Sequence, residues 1–228
     1  HRGRMRETRN DANRVVAVRL QGKINVGNRD RTWFFDGRSI GGRGAVEADN
    51  SNFIGRVVVQ NRATLLVNGP LLARSVTVAV NSALGGTNRV GGTEGVTVQT
   101  GGAIFGGEDG RGGSLTVDSA FTMQANSLIR ADIPKDPAAG VGCVKLVNTD
   151  PTQKLTLTAP IGVRLDVDPA GPYLGSVKLL DWSGAAFMNG TVPQLATFTP
   201  DIPEGSNLKK VYLSIKDSAL YAAYVLDT

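Results

Sequence analysis

"VTVQTGGAIFGG" occupies Val96–Gly107. Valine alternates with threonine, two glycines follow, and a small residue leads into a large apolar one before two more glycines. The same arrangement recurs as "VVVQNRATL" at 57–65, "VTVAVNSAL" at 76–84, "FTMQANSLI" at 121–129 and "LTLTAPIGV" at 155–163. The shared pattern is apolar–x–apolar, a few small or polar residues, then a second apolar residue. The first four copies start 19, 20 and 25 positions apart. A period near 20 is the signature of a solenoid. The alternation in Val57–Val59, Val76–Val78 and Val96–Val98 predicts a short strand with one buried face in each copy. The Gly and Asn residues behind it suit a sharp bend, because glycine takes positive φ without steric cost and asparagine tolerates it better than most. One copy buries too little to be stable, so the copies must stack.

An antiparallel sandwich would join its strands by two-residue Asn-Gly or Asp-Gly hairpins, and those do not dominate here. Helical periodicity is also missing; the best candidate, "GPLLARSV" (69–76), is short and opens with Gly-Pro. The expected fold is therefore all-β, a right-handed parallel β-helix closed by a strand-rich C-terminal cap. One continuous domain is expected: a basic arm (1–13), rungs (14–133), then final rungs and cap (134–228). The Pro/Gly stretch "IPKDPAAGVG" (133–142) is the best internal boundary. Beyond it the strands are longer and more aromatic, ending in a hairpin with Asp217 as turn former.

Charge is distributed unevenly. Residues 1–43 hold eleven Lys/Arg and four acids, a balance of +7, whereas the remainder holds fourteen and sixteen, a balance of −2. The basic pI of 9.6 thus describes the N-terminal fifth. A solvated basic face is one reading; contact with a polyanion or with an acidic surface of a neighbouring copy is the other. No apolar run reaches the roughly 18 residues of a membrane span. The chain opens at His1 without a signal peptide, as expected of a chain whose export signal has been removed. Its single cysteine, Cys143, forms no internal disulfide, reads as an inert buried thiol, and leaves the redox compartment open.

Residues 53–92 and 96–129, read together, resemble the autotransporter-associated β-strand repeat of large bacterial surface and secreted proteins, a likeness extending over about 30–180. The tails "GSVKLLDWSGAAFMNGT" and "LYAAYVLDT" resemble the end of such passenger modules. The resemblance implies export, an extracellular parallel β-helix, and an adhesive or structural role.

Enzyme chemistry finds few groups. The only histidine is His1, which removes His-based acid–base and triad mechanisms. Asp166 and Asp168 in "VRLDVDP" face one side of a strand, so they are the candidate carboxylate pair or calcium ligands, or else a strand end entering a turn at Pro169. "GGEDGRGG" has neither the regular repeat of calcium nonapeptides nor the ending of a phosphate loop, and reads as a flexible bend. Trp33, with Phe34 and Phe35, and Trp182 are candidate sugar-stacking residues or core packing, since alternation buries at least Phe34 or its neighbours. No motif calls for a cofactor or metal, and no nucleic-acid fold accompanies the arginines.

The leading expectation is a secreted, non-enzymatic structural protein that self-associates head to tail into an extracellular filament or surface layer. Arg2, Arg4, Arg6 and Arg9 at one end and Tyr221 and Tyr224 at the other are the candidate contact residues. The alternative is a monomeric surface adhesin or carbohydrate-binding passenger module that uses Trp33 or Trp182 on a cell-surface or matrix polysaccharide. A polysaccharide-cleaving enzyme built on Asp166 and Asp168 is a third class.

Overall fold

Short apolar–polar–apolar strands can bury one face only if each turn of the chain lies on the next, and the computed structural model shows that stacking. It describes residues 5–9, 15–20, 32–37, 42–108, 111–148, 150, 152–185 and 192–227. Three walls, here A, B and C, hold nine, six and seven strands. The chain enters wall A as β1 (Met5–Arg9) and β2 (Val15–Leu20), then passes through β3 (Thr32–Asp36) in wall B and β4 (Arg43–Val46) in wall A. Successive turns then run B–A–C. They are β5 (Arg56–Gln60), β6 (Thr64–Val67) and β7 (Leu71–Leu72); β8 (Ser75–Val78), β9 (Ala83–Gly86) and β10 (Arg89–Gly91). The next are β11 (Gly95–Val98), β12 (Ala103–Ile104) and β13 (Gly113–Val117); β14 (Phe121–Met123), β15 (Leu128–Ile133) and β16 (Gly142–Asn148). The last turn is β17 (Leu155–Leu157), β18 (Ile161–Val167) and β19 (Leu174–Ala185). Strand β20 (Phe198–Pro200) ends wall A, and β21 (Leu208–Lys216) and β22 (Ala219–Leu226) end wall C.

Within wall B every ladder is parallel, and its register stacks the repeats as their sequences align. Trp33, Val57, Val76, Val96, Phe121 and Leu155 form one column; Phe35, Val59, Val78, Val98, Met123 and Leu157 form the next. In wall A, Leu65, Leu84, Ile104, Ile129 and Val163 make the matching column. These side chains belong to one core that runs from Phe35 to Leu226, across the Pro/Gly stretch at 133–142. The architecture is that of an all-β parallel β-helix. "GPLLARSV" is not helical: it forms β7 and starts β8, because the rung period, not local propensity, decides its state.

The B-to-A corners use left-handed backbone. Asn61 and Arg62, then Asn81, Gly101 and Asn126 in successive turns, have φ between 56° and 72°. Their peptide groups bond along the axis: the Asn81 N–H donates to Gly101 C=O (2.8 Å), Gly101 N–H to Asn126 C=O (2.9 Å), and Asn126 N–H to Pro160 C=O (2.6 Å). Antiparallel strands appear at the two ends of the stack. β1 pairs antiparallel with β2, and at the other end β22 pairs antiparallel with both β19 and β21.

Candidate functional site

Strands β15 and β18 alternate buried and outward residues, so Asp132 and Asp166 sit outward and side by side in register. Asp166 accepts a hydrogen bond from Arg130 Nη2 at 2.9 Å, and the same guanidinium lies 3.7 Å from Asp132. One step on, Arg164 pairs with Asp201 at 2.6 Å. Asp168 closes a turn instead: its Oδ1 accepts from Ala170 N–H at 2.8 Å and its C=O from Gly171 N–H at 2.8 Å. Asp166 is thus an ion-pair partner and Asp168 a turn residue. Both border an 840 Å³ groove near the C-terminal end of wall A, lined also by Asp132, Glu204 and Lys135. Asp132 and Glu204 carry no sequence signal of their own; the stacking of turns and the return of the chain before β21 bring them there. Among the described residues, no three His, Cys, Asp or Glu side chains converge to hold a metal ion.

The aromatic candidates separate. Trp33 is half-buried and meets Phe35 edge-on, with ring centroids 5.7 Å apart at 70°, while Phe34 points outward and is 57% exposed. Trp182 is 2% exposed within the core, so its indole offers no face to a sugar in this arrangement. Tyr224 is 3% exposed and lies against Gly175 of β19, and burial holds its phenol above the ordinary pKa. Tyr221 is half-buried beneath Lys178, whose Nζ stands 5.7 Å from the ring centroid. Both tyrosines lie on β22, which is flanked by β19 and β21 and is not an edge. The Lys178 ammonium is held above its ordinary pKa, first by its hydrogen bond to Asp181 at 3.2 Å and in smaller part by Tyr221.

Arg6 and Arg9 lie on β1, the first strand of wall A. Arg2 and Arg4 lie outside the described residues, as do His1 and part of the arm. In the "GGEDGRGG" bend, Glu108 and Arg111 exchange backbone hydrogen bonds and Glu108 Oε2 accepts from Asn68 Nδ2 at 2.9 Å. Cys143 is 8% exposed, and burial pushes its thiol up to about 11, which leaves it protonated and unreactive near neutrality. No described helix is long and apolar enough to cross a membrane. In comparisons with known proteins, no family model, no curated protein and no solved structure matches the chain.

Proposed function

We propose that this chain is a structural protein of an extracellular surface, a β-helical rod that associates head to tail with copies of itself into a filament or layer. The observation that carries the reading is the opposition of charge along the rod. The first 43 residues hold a balance of +7 and supply the opening strand of wall A, with Arg6 and Arg9. The groove near the other end of that wall is lined by the carboxylates of Asp132, Asp166, Asp168 and Glu204 and by Lys135, with Arg130 paired to Asp166, so acidic groups outnumber basic ones there. A contact between unlike ends of two copies is heterologous, and such a contact gives a filament when its rotation does not close. Antiparallel strands cover the first end of the wall A ladder and the last end of the wall C ladder. In this reading the joint is made by charged ends, and salt weakens it. The likeness of residues 30–180 to repeats of bacterial surface proteins supports a place outside the cell.

Negative-stain electron microscopy of the purified chain across salt concentrations tests the proposal. The expected result is filaments that shorten as salt rises and that are lost when residues 1–13 are removed. Isolated short rods at every salt and at high protein concentration overturn it.

A further inference from the structure

Wall C splits near its C-terminal end. Strand β19 pairs with β16 only from Val144 opposite Leu180 onward. Among the described residues, Gly142 and Cys143 at the start of β16 have a ladder partner on the β13 side alone. Residues 174–178 of β19 pair with β22 instead, and one extra residue, Leu179, stands between Lys178 opposite Tyr221 and Leu180 opposite Leu220. Such a bulge bends its strand away from the neighbour it would otherwise follow. Pro134 and Pro172, at the rims, have no N–H with which to bridge the gap. A cleft of 500 Å³ is left between the parted strands. Small-molecule sites typically measure about 300–1,000 Å³.

The lining is mostly hydrocarbon. Ile133, Val141, Pro172, Leu174 and Val177 supply its apolar walls. Ser176 and Lys178 are exposed and lie at the outer mouth, where Lys178 is paired with Asp181 at 3.2 Å. Two buried polar side chains face the interior. The Cys143 thiol is engaged, donating to Val144 C=O at 3.5 Å. Tyr224 is not: it is 3% exposed, and among the described residues no group hydrogen-bonds its hydroxyl. Its pKa is raised by burial with no hydrogen bond contributing. The hydroxyl stands over Gly175, where a Cβ would come within 2.7 Å of it, so the glycine leaves the phenol its room and both residues line the cleft. A buried hydroxyl left unpaired is unfavourable, and a ligand oxygen within reach would pair it.

We propose that this cleft binds a compact, uncharged apolar molecule with one oxygen acceptor, of the class of aryl ketones. Its carbonyl accepts from the Tyr224 hydroxyl, and its hydrocarbon body lies against Ile133, Val141 and Val177. A charged ligand is disfavoured, because the Lys178 ammonium is already paired and an ion would be desolvated among aliphatic side chains. A sugar is disfavoured as well, since it would bring many hydroxyls to a lining whose buried side chains offer one free partner among the described residues. The site does not depend on self-assembly, and its test does not either.

Titration of the intact, isotope-labelled chain, followed by NMR at the Gly175 and Cys143 amides, compares three probes of similar size: acetophenone, ethylbenzene and benzoate. Acetophenone is expected to bind saturably and about two- to tenfold more tightly than ethylbenzene, the worth of one neutral hydrogen bond. Benzoate is expected not to bind. Tyr224→Phe removes a hydroxyl that bonds to no other group, so the fold is kept. It should bring acetophenone down to the affinity of ethylbenzene and leave ethylbenzene unchanged. Val141→Phe, which fills the cleft, should abolish binding of both neutral probes. Tyr221→Phe, on the opposite face of β22, should change neither. The proposal is overturned by any of four results: no saturable binding of acetophenone, equal affinity for acetophenone and either other probe, undiminished binding to Val141→Phe, or equal losses in the two tyrosine variants.

Discussion

Asn126 holds a φ of 60° where wall B turns into wall A, in the place that Gly101 and Asn81 occupy one and two turns earlier. A β-branched side chain in that left-handed backbone costs about 1–2 kcal/mol. Asn126→Val should lower the melting temperature clearly, and Asn126→Gly should change it little; equal effects would show that the corner conformation is not what asparagine supplies. The next residue, Ser127, is fully buried and its hydroxyl has no hydrogen-bond partner. The equivalent place in other turns is taken by Ala63, Ser82, Gly102 and Ile161. Removing a buried hydroxyl without a partner relieves its desolvation, so Ser127→Ala should raise stability by about 1 kcal/mol in denaturant melts. Cys143 adds a pH dependence. Its folded-state pKa is raised, so its contribution is complete below the unfolded value near 9 and is lost as pH rises towards about 11. Stability curves of the native chain and Cys143→Ala should therefore converge over that interval, and curves that stay parallel would place the thiol in a more polar setting.

At the scale of elements, the end of wall C decides how the rod meets its surroundings. The hairpin of β21 and β22 turns at Asp217 and Ser218, with φ of 49° and 57°, the positive values a two-residue hairpin needs. β21 is the edge of wall C, and it carries Lys209, Lys210 and Lys216. Lysines on an exposed edge oppose pairing with another chain, because a second strand would have to lie among desolvated ammonium groups. Replacing all three with threonine should turn this edge into an aggregation site, seen as light scattering and thioflavin binding at concentrations where the native chain stays clear. No change would mean that the edge is protected by shape alone. β20 blunts the end of wall A differently: it is three residues long and ends in Pro200, which has no N–H to donate.

At the scale of the whole molecule, the proposed assembly predicts that mixing the intact chain with a variant lacking residues 1–13 shortens filaments. The truncated copy would offer a groove but no basic arm and would terminate growth at one end. Unchanged lengths would locate the joint elsewhere. The turn-by-turn register was legible from sequence because it rests on local rules: a side chain two residues away shares a face, and a corner needs Asn or Gly. Val57, Val76, Val96, Phe121 and Leu155 align in sequence as they stack in space. Fold class and the placement of the inward columns were thus determined by the sequence alone. The C-terminal hairpin at Asp217 was legible too, but wall assignment, the antiparallel pairing of β1 with β2 and of β22 with β19, and both the groove and the cleft were not. Asp132, Asp166 and Glu204, or Cys143, Gly175 and Tyr224, become neighbours only when distant turns are laid on one another. Burial likewise separated Trp182 and Tyr224, which the core absorbs, from Phe34, which it leaves exposed. Those outcomes belong to the tertiary structure, because a groove or an exposed face is made by residues from different turns, and no local pattern records which turns will meet.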